Sequence, residues 1–303
     1  MSEKGKNANT CFLIGSPVEH SLSPGMHQVI YDTLGLDWKY IKREIRGAGE
    51  LQGFMNYARS NPCLGFNVTI PHKQTVMEYL DEVDPAAARV GAVNTVRKEP
   101  DGKLAGFNTD WKGFLEDIKA SLGVDPAGKK AALIGCGGAA RAVIEAFRYA
   151  SETSELSGEV YLYDIESEKA RELAADAGRV PGALSVYAAE DADSFGDILG
   201  KVSILVNASP AGMGEGDEPP IETGLLKRIR GLAVYDLIYN RRTELLKEAG
   251  SLGLSNSGGA GMLAGQGLEA FKIWYRRRVN PRKQRKIKEK MTRYLKERVG
   301  SDD

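Results

Sequence analysis

The chain is short of the residues that staple small or metal-built domains. Its only cysteines, Cys11, Cys63 and Cys136, are widely spaced and form no CxxC pair, so neither a disulfide framework nor a metal site is expected. All three read as small buried side chains. No apolar stretch approaches the length that crosses a bilayer, and mean hydropathy is negative. The first ten residues, MSEKGKNANT, hold no apolar core of the kind a signal peptide needs, and a cytoplasmic location is expected. Net charge is lacking too: 41 Lys and Arg balance 41 Asp and Glu, so the whole chain selects neither nucleic acid nor a membrane surface as partner.

What is present is a regular alternation of apolar runs and helical patterns over 303 residues, enough for two modest domains. In the front third, CFLIG (11–15), a helix from about Pro24 to Leu34, WKYIKREI (38–45), a helix from about Gly49 and LGFNVTI (64–70) predict a small α/β lobe with a largely parallel sheet. After the turn-forming Asp125-Pro126-Ala127-Gly128, KKAALIG (129–135), EVYLYD (159–164), a strand near 183–187, KVSILVNA (201–208) and GLAVYDLIY (231–239) repeat the rhythm of a doubly wound nucleotide-binding lobe. A Gly-rich turn then leads into an amphipathic helix, 262–275, able to return to the first lobe. The expected fold class is therefore α/β with two lobes. The substrate-binding catalytic domain is assigned to 1–115, completed by 259–303, and a Rossmann NAD(P)-binding domain to 116–258.

The strongest local motif is GCGGAAR. Gly135, Gly137 and Ala140 have the dinucleotide-fingerprint spacing, follow an apolar strand and open a helix whose free N–H groups suit a pyrophosphate. The next strand ends at Asp164, placed to accept from ribose hydroxyls, and its charge beside Glu166 would repel a 2′-phosphate. That pattern predicts NAD over NADP; a solvated strand-end aspartate gives the same sequence. In HSLSP, Ser21 and Ser23 precede a helix that Pro24 can start, and their hydroxyls suit either a substrate carboxylate or a plain N-cap. In GFNVTIPHK a buried strand delivers Asn67, Thr69 and Lys73 to its carboxyl end, which faces the crevice of an α/β fold. Asn94 in GAVNT and Asn108, Thr109 and Asp110 in FNTD are each unremarkable as turn residues. The histidines compete for acid/base work, with His20 and His27 near the serines and His72 pointing away from Lys73 if the strand continues.

Taken in order, SLSP, NVTIPHK, GAVNT, NTD, GCGGAAR, NASPAGM and GMLAGQ resemble the shikimate dehydrogenase family from about Cys11 to Tyr275. The resemblance implies reversible NAD(P)-dependent reduction of 3-dehydroshikimate to shikimate, with Lys73 and Asp110 as the catalytic pair. It implies a carboxylate site at Ser21 and Ser23, and Asn67, Thr69, Asn94, Tyr239 and Gln266 around the rest of the substrate. The cofactor falls to Gly135, Gly137, Gly138, Ala139, Ala140, Asp164, Asn207, Ser209, Gly259 and Met262. The partners implied are small molecules only, shikimate or 3-dehydroshikimate and with them quinate, in a monomer or homodimer. Two rival readings are a catabolic NAD-dependent quinate/shikimate dehydrogenase and, from another class, a metabolite-binding regulator without turnover. Retention of Lys73 and Asp110 speaks against the regulator.

The chain departs from the family pattern in places. Members that use NADP usually carry Asn-Arg-Thr where this chain has Asp164-Ile165-Glu166, which again predicts NAD. Ser23 is kept where quinate-preferring relatives often have threonine, tilting the substrate toward shikimate. The usual Tyr-Asn-Pro segment runs Tyr239-Asn240-Arg241-Arg242-Thr243. A tail follows, in which residues 276–298 hold twelve Lys or Arg against two Glu, while 1–275 hold 29 basic and 37 acidic residues. Ile287, Met291 and Leu295 recur every fourth residue, so this tail is expected to dock as a helix with a solvated basic face. Binding to nucleic acid, to an anionic membrane or to the acidic surface of a partner subunit are its other uses.

Overall fold

A computed structural model describes residues 9–299, apart from the side chain of Arg228. The leader reading of the first residues and the end of the tail fall, at 1–8 and 300–303, outside the described residues. Contacts divide the chain into one unit of residues 1–109 and 266–295 and another of 110–265 and 296–303.

The first unit holds β1 (Thr10–Gly15), α1 (Ser23–Leu34), β2 (Lys39–Glu44), α2 (Ala48–Ser60), β3 (Gly65–Val68), β4 (Glu82–Val83), α3 (Pro85–Val90), β5 (Thr95–Lys98) and β6 (Leu104–Phe107). The strands form one sheet in the order β2-β1-β3-β5-β6-β4. The β2-β1-β3 half is parallel, as its strand-helix-strand sequence requires, whereas β3-β5-β6 is antiparallel. Along α2, Leu51, Phe54, Met55 and Ala58 recur at helical spacing and are buried, and Asn61 ends the helix by turning its side-chain amide back onto the Tyr57 carbonyl at 3.0 Å. Those residues pack on Phe12, Ile14, Phe66 and Val68, each buried apolar side chain contributing about 1.5–3 kcal/mol.

In the second unit α4 (Asp110–Leu122) precedes β7 (Lys130–Ile134), α5 (Gly138–Thr153), β8 (Gly158–Tyr163), α6 (Ser167–Gly178), β9 (Leu184–Ala188), α7 (Ala192–Leu199), β10 (Ile204–Asn207), β11 (Ala233–Asp236), α8 (Glu244–Ser251) and β12 (Ser255–Gly258). All six strands are parallel, in the order β12-β11-β10-β7-β8-β9. Counted from the first strand of this unit, that is the doubly wound order 3-2-1-4-5-6, whose direction of winding switches between β7 and β10. The edge strand β12, of sequence SNSG, carries no strand signal of its own: it has no apolar pattern, and only pairing with β11 makes it a strand.

Two helices end the chain, α9 (Ala260–Tyr275) and α10 (Pro281–Val299). Within the first unit the stripe Ile287, Met291 and Leu295 is fully buried. The seat beside α1 is tight, because a Cβ on Gly25 would lie 1.7 Å from the Tyr294 hydroxyl. The basic residues Arg282, Lys283, Arg285, Lys286 and Arg293 stay exposed or half-exposed. No helix of the described residues is long and apolar enough to cross a membrane.

Candidate functional site

In the first unit the serine pair lies where the loop after β1 enters α1. Ser23 is the first residue of α1, and the N-cap position is held by Leu22, with no side-chain cap. The Ser21 hydroxyl accepts from the Ser23 amide at 3.3 Å and donates to the Ser23 hydroxyl at 3.2 Å. Both residues are half-buried, so the pair faces solvent as two hydroxyls side by side.

Asn67, next to last in β3, is 6% exposed, with its side-chain carbonyl accepting from the Tyr40 hydroxyl at 2.7 Å and its side-chain amide donating to the Asn94 carbonyl at 3.0 Å and the Thr95 hydroxyl at 2.9 Å. The antiparallel β5-β6 pairing sets Thr95 opposite Phe107, which brings the two turn motifs on either side together. Asn94 donates to the Thr109 hydroxyl at 3.0 Å and accepts from the Thr109 amide at 2.8 Å, and Thr109 reaches Gln266 at 3.5 Å. Asn108 instead bonds the Ala92 carbonyl at 3.0 Å and serves the loop. Thr69 and Lys73 are half-buried just past β3, with the Lys73 carbonyl accepting from the Val93 amide at 2.7 Å.

The histidines take no part. His72 is buried with Nε2 2.8 Å from the Ile45 carbonyl, His20 is exposed, and His27 is fully buried with neither ring nitrogen hydrogen-bonded. Burial pulls His27 down to about 3, so its ring is neutral. Tyr40, which links Asn67 to this group, belongs to none of the sequence motifs; its one signal is the alternation Trp38, Tyr40, Lys42 along β2.

The second unit opens with Asp110, 9% exposed at the first turn of α4, where an acidic side chain suits the helix dipole. The glycine loop lies at the switch point. Gly135 has φ +86, and a Cβ there would come 2.7 Å from the Ser209 amide nitrogen, so the two loops meet through backbone. Gly137 caps α5, which starts at Gly138 and continues through the half-buried Ala139 and the fully buried Ala140. Asn207, at the end of β10, accepts from the Ser209 amide at 3.0 Å and its hydroxyl at 2.7 Å, which fixes the facing loop. Gly259 donates to the Ile238 carbonyl at 3.0 Å, and Tyr239 beside it is half-buried, its phenol pushed up by that burial. Met262 is buried in the first turn of α9, and the nearby Tyr235 hydroxyl donates to Asp117 at 2.7 Å. A loop in which a Cβ would block backbone approach, ahead of a helix N-terminus, fits a dinucleotide pyrophosphate.

Asp164 bridges the glycine loop and the start of the next one. One carboxylate oxygen accepts from the Cys136 amide at 2.9 Å and the other from the Glu166 amide at 3.0 Å. Lys169 pairs with Glu166 at 2.5 Å and lies within the field of Asp164.

Residues 13–96 match the family model described as the shikimate dehydrogenase substrate binding domain. The chain is 41% identical over 268 residues to a shikimate dehydrogenase (NADP(+)) of Methanopyrus kandleri, covering 88% of this chain and 90% of that protein. It is 40% identical to a protein of the same name in Desulforamulus reducens, covering 87% and 89%. The crystal structure of shikimate 5-dehydrogenase from Thermus thermophilus in complex with NADP(H) and shikimate superposes with a TM-score of 0.77 at 33% identity, covering 93% of this chain and 99% of that one. These relatives correct the expectation of NAD, since they are named for NADP. The physical reason lies in the charge of Asp164, which is met by two backbone amides and a nearby ammonium, so its repulsion of a 2′-phosphate is blunted. With two lobes of the expected class, the ordered motifs and relatives spanning nearly the whole chain, this chain belongs to the shikimate dehydrogenase family of NAD(P)-dependent oxidoreductases acting on a CH–OH group.

Proposed function

We propose that this chain interconverts 3-dehydroshikimate and shikimate reversibly with NADP(H). The observation that carries the substrate reading is the serine pair: α1 has no side-chain cap at Leu22, and the Ser21 and Ser23 hydroxyls, side by side at its N-terminus, can turn from each other to meet an anion. A carboxylate held there orients the ring toward the polar residues at the carboxyl end of β3. Asn67, Thr69, Asn94 and Gln266 in the first unit and Tyr239 in the second are assigned to the rest of the substrate.

The nicotinamide supplies or takes up the hydride when bound. Ketone reduction leaves negative charge on oxygen, and the Lys73 ammonium is assigned to stabilise that charge and deliver the proton, with Asp110 orienting it. Gly135, Gly137 and Gly138 bring backbone close to the cofactor phosphates, with Asn207 and Ser209 shaping the facing loop and Gly259 and Met262 completing that side. Asp164 and Ala140 hold the glycine loop and its helix in place.

Initial rates with shikimate and with quinate, each with NADP and NAD, test the reading. Shikimate with NADP is expected to give the highest kcat/KM, and no turnover of shikimate with either cofactor would overturn it.

A further inference from the structure

The register across β2, β1 and β3 aligns Tyr40 with Cys11 and Cys11 with Gly65, so Tyr40 and Asn67 share one face of the sheet, two strands and one same-face step apart. At about 4.8 Å per strand and 6.6 Å per step, their backbones lie roughly 12 Å apart, a gap that the tyrosine and asparagine side chains close between them through one hydrogen bond. That hydroxyl donates to the Asn67 carbonyl oxygen at 2.7 Å. Both Asn67 amide hydrogens are used as well, on the Asn94 carbonyl and the Thr95 hydroxyl. An asparagine side chain has two donor hydrogens and two acceptor lone pairs, so Asn67 keeps one lone pair and nothing else to offer.

The Tyr40 ring is itself fixed. It stacks on His27 with centroids 4.3 Å apart and planes 9° from parallel, and Trp274 flanks both rings. Trp274 is anchored by its indole N–H on the Val96 carbonyl at 3.0 Å. A neutral imidazole with both nitrogens unpaired serves here as a flat plate behind the phenol. The Ser23 hydroxyl lies close enough to the phenol to oppose in part the rise that burial imposes on it, so the serine pair adjoins the Tyr40–Asn67 contact.

We propose that Tyr40 is a positioning residue for the substrate: lying beside the carboxylate serines, its hydroxyl fixes the Asn67 side chain, whose two amide hydrogens are already used, so the site selects a substrate hydroxyl at that point over a keto or ether oxygen. This rests on the substrate-site reading above. An oxygen without a hydrogen would meet the lone pair of Asn67 with a lone pair of its own, and no free amide hydrogen is there to swing toward it.

The test is steady-state kinetics on the full-length enzyme with Tyr40→Phe, which removes the hydroxyl and keeps the stack. The KM for shikimate should rise about fivefold, the loss of one hydrogen bond, while kcat, the KM for NADP and the melting temperature stay near those of the parent. In an Asn67→Ala background the same change should add little, because Tyr40 acts through Asn67. An unchanged KM in Tyr40→Phe, a lowered melting temperature without a KM change, or a full fivefold effect persisting in Asn67→Ala would each overturn the proposal. Ser23→Ala, run alongside, separates the two layers: an unaltered KM there sinks the site reading itself, whereas a raised KM in Ser23→Ala with a normal one in Tyr40→Phe sinks only the role of Tyr40.

Discussion

Asn207 is bound to Asp236 by its side-chain amide at 3.0 Å, across the ends of the neighbouring strands β10 and β11 in the second unit. The side-chain carbonyl of Asn207 holds the Ser209 loop, so a buried carboxylate stands behind the loop that faces Gly135. Burial pushes Asp236 up to about 6, against the opposing pull of Thr243, the Ile238 amide and Asn207.

That shift gives a stability prediction. In the unfolded chain Asp236 releases its proton near 3.8, whereas in the fold it keeps it to about 6. Between these values the native state binds more protons, so this residue's contribution falls as pH rises through the window, by on the order of 3 kcal/mol. Asp236→Asn keeps the shape without the charge. Melting temperatures of parent and variant at pH 4.5 and 7.5 should show the parent losing ground to the variant as pH rises, and a constant difference would exclude titration of Asp236 in that range.

Lys73→Ala is expected to lower kcat by roughly two to four orders of magnitude, the usual share of a positioned acid/base group, with cofactor affinity little changed. Asp110→Asn should also be severely impaired. With both assigned to one proton transfer, the double variant should be little worse than Lys73→Ala alone, and fully additive losses would separate the two residues.

Ser23→Ala distinguishes a helix cap from a carboxylate ligand. A hydrogen bond to a charged group is worth about 1.5–3 kcal/mol, so the KM for shikimate should rise at least about tenfold with the KM for NADP preserved. A cap would instead cost about 1 kcal/mol of stability and leave KM alone, which a melting curve measured beside the kinetics would reveal.

Gly135→Ala should raise the KM for NADP sharply while leaving the shikimate site intact. An alanine would have to adopt φ +86 and push the Ser209 backbone aside, displacing the facing loop fixed by Asn207. Cofactor binding followed by nicotinamide fluorescence is the direct readout, and an affinity equal to the parent's would remove this loop from the cofactor site.

Periodicity and turn chemistry determined much by themselves: strands β1 to β3 and β7 to β11, the glycine loop between β7 and α5, and the apolar stripe of α10 were legible, because each rests on residues adjacent in sequence or spaced by one helical turn. Tertiary structure decided the rest. The strand SNSG has no pattern of its own and exists through its pairing with β11. Asn94 and Thr109 looked like separate turn residues until the antiparallel β5-β6 pairing set them together. Asp164 read as a bar to a 2′-phosphate because sequence shows a charge and not its partners; its contacts with the Cys136 and Glu166 amides exist only in the folded loop. Tyr40 and Asn67, 27 residues apart, became neighbours through the parallel register of two strands on either side of β1, and hydrogen bonds of that kind leave no local trace in the chain.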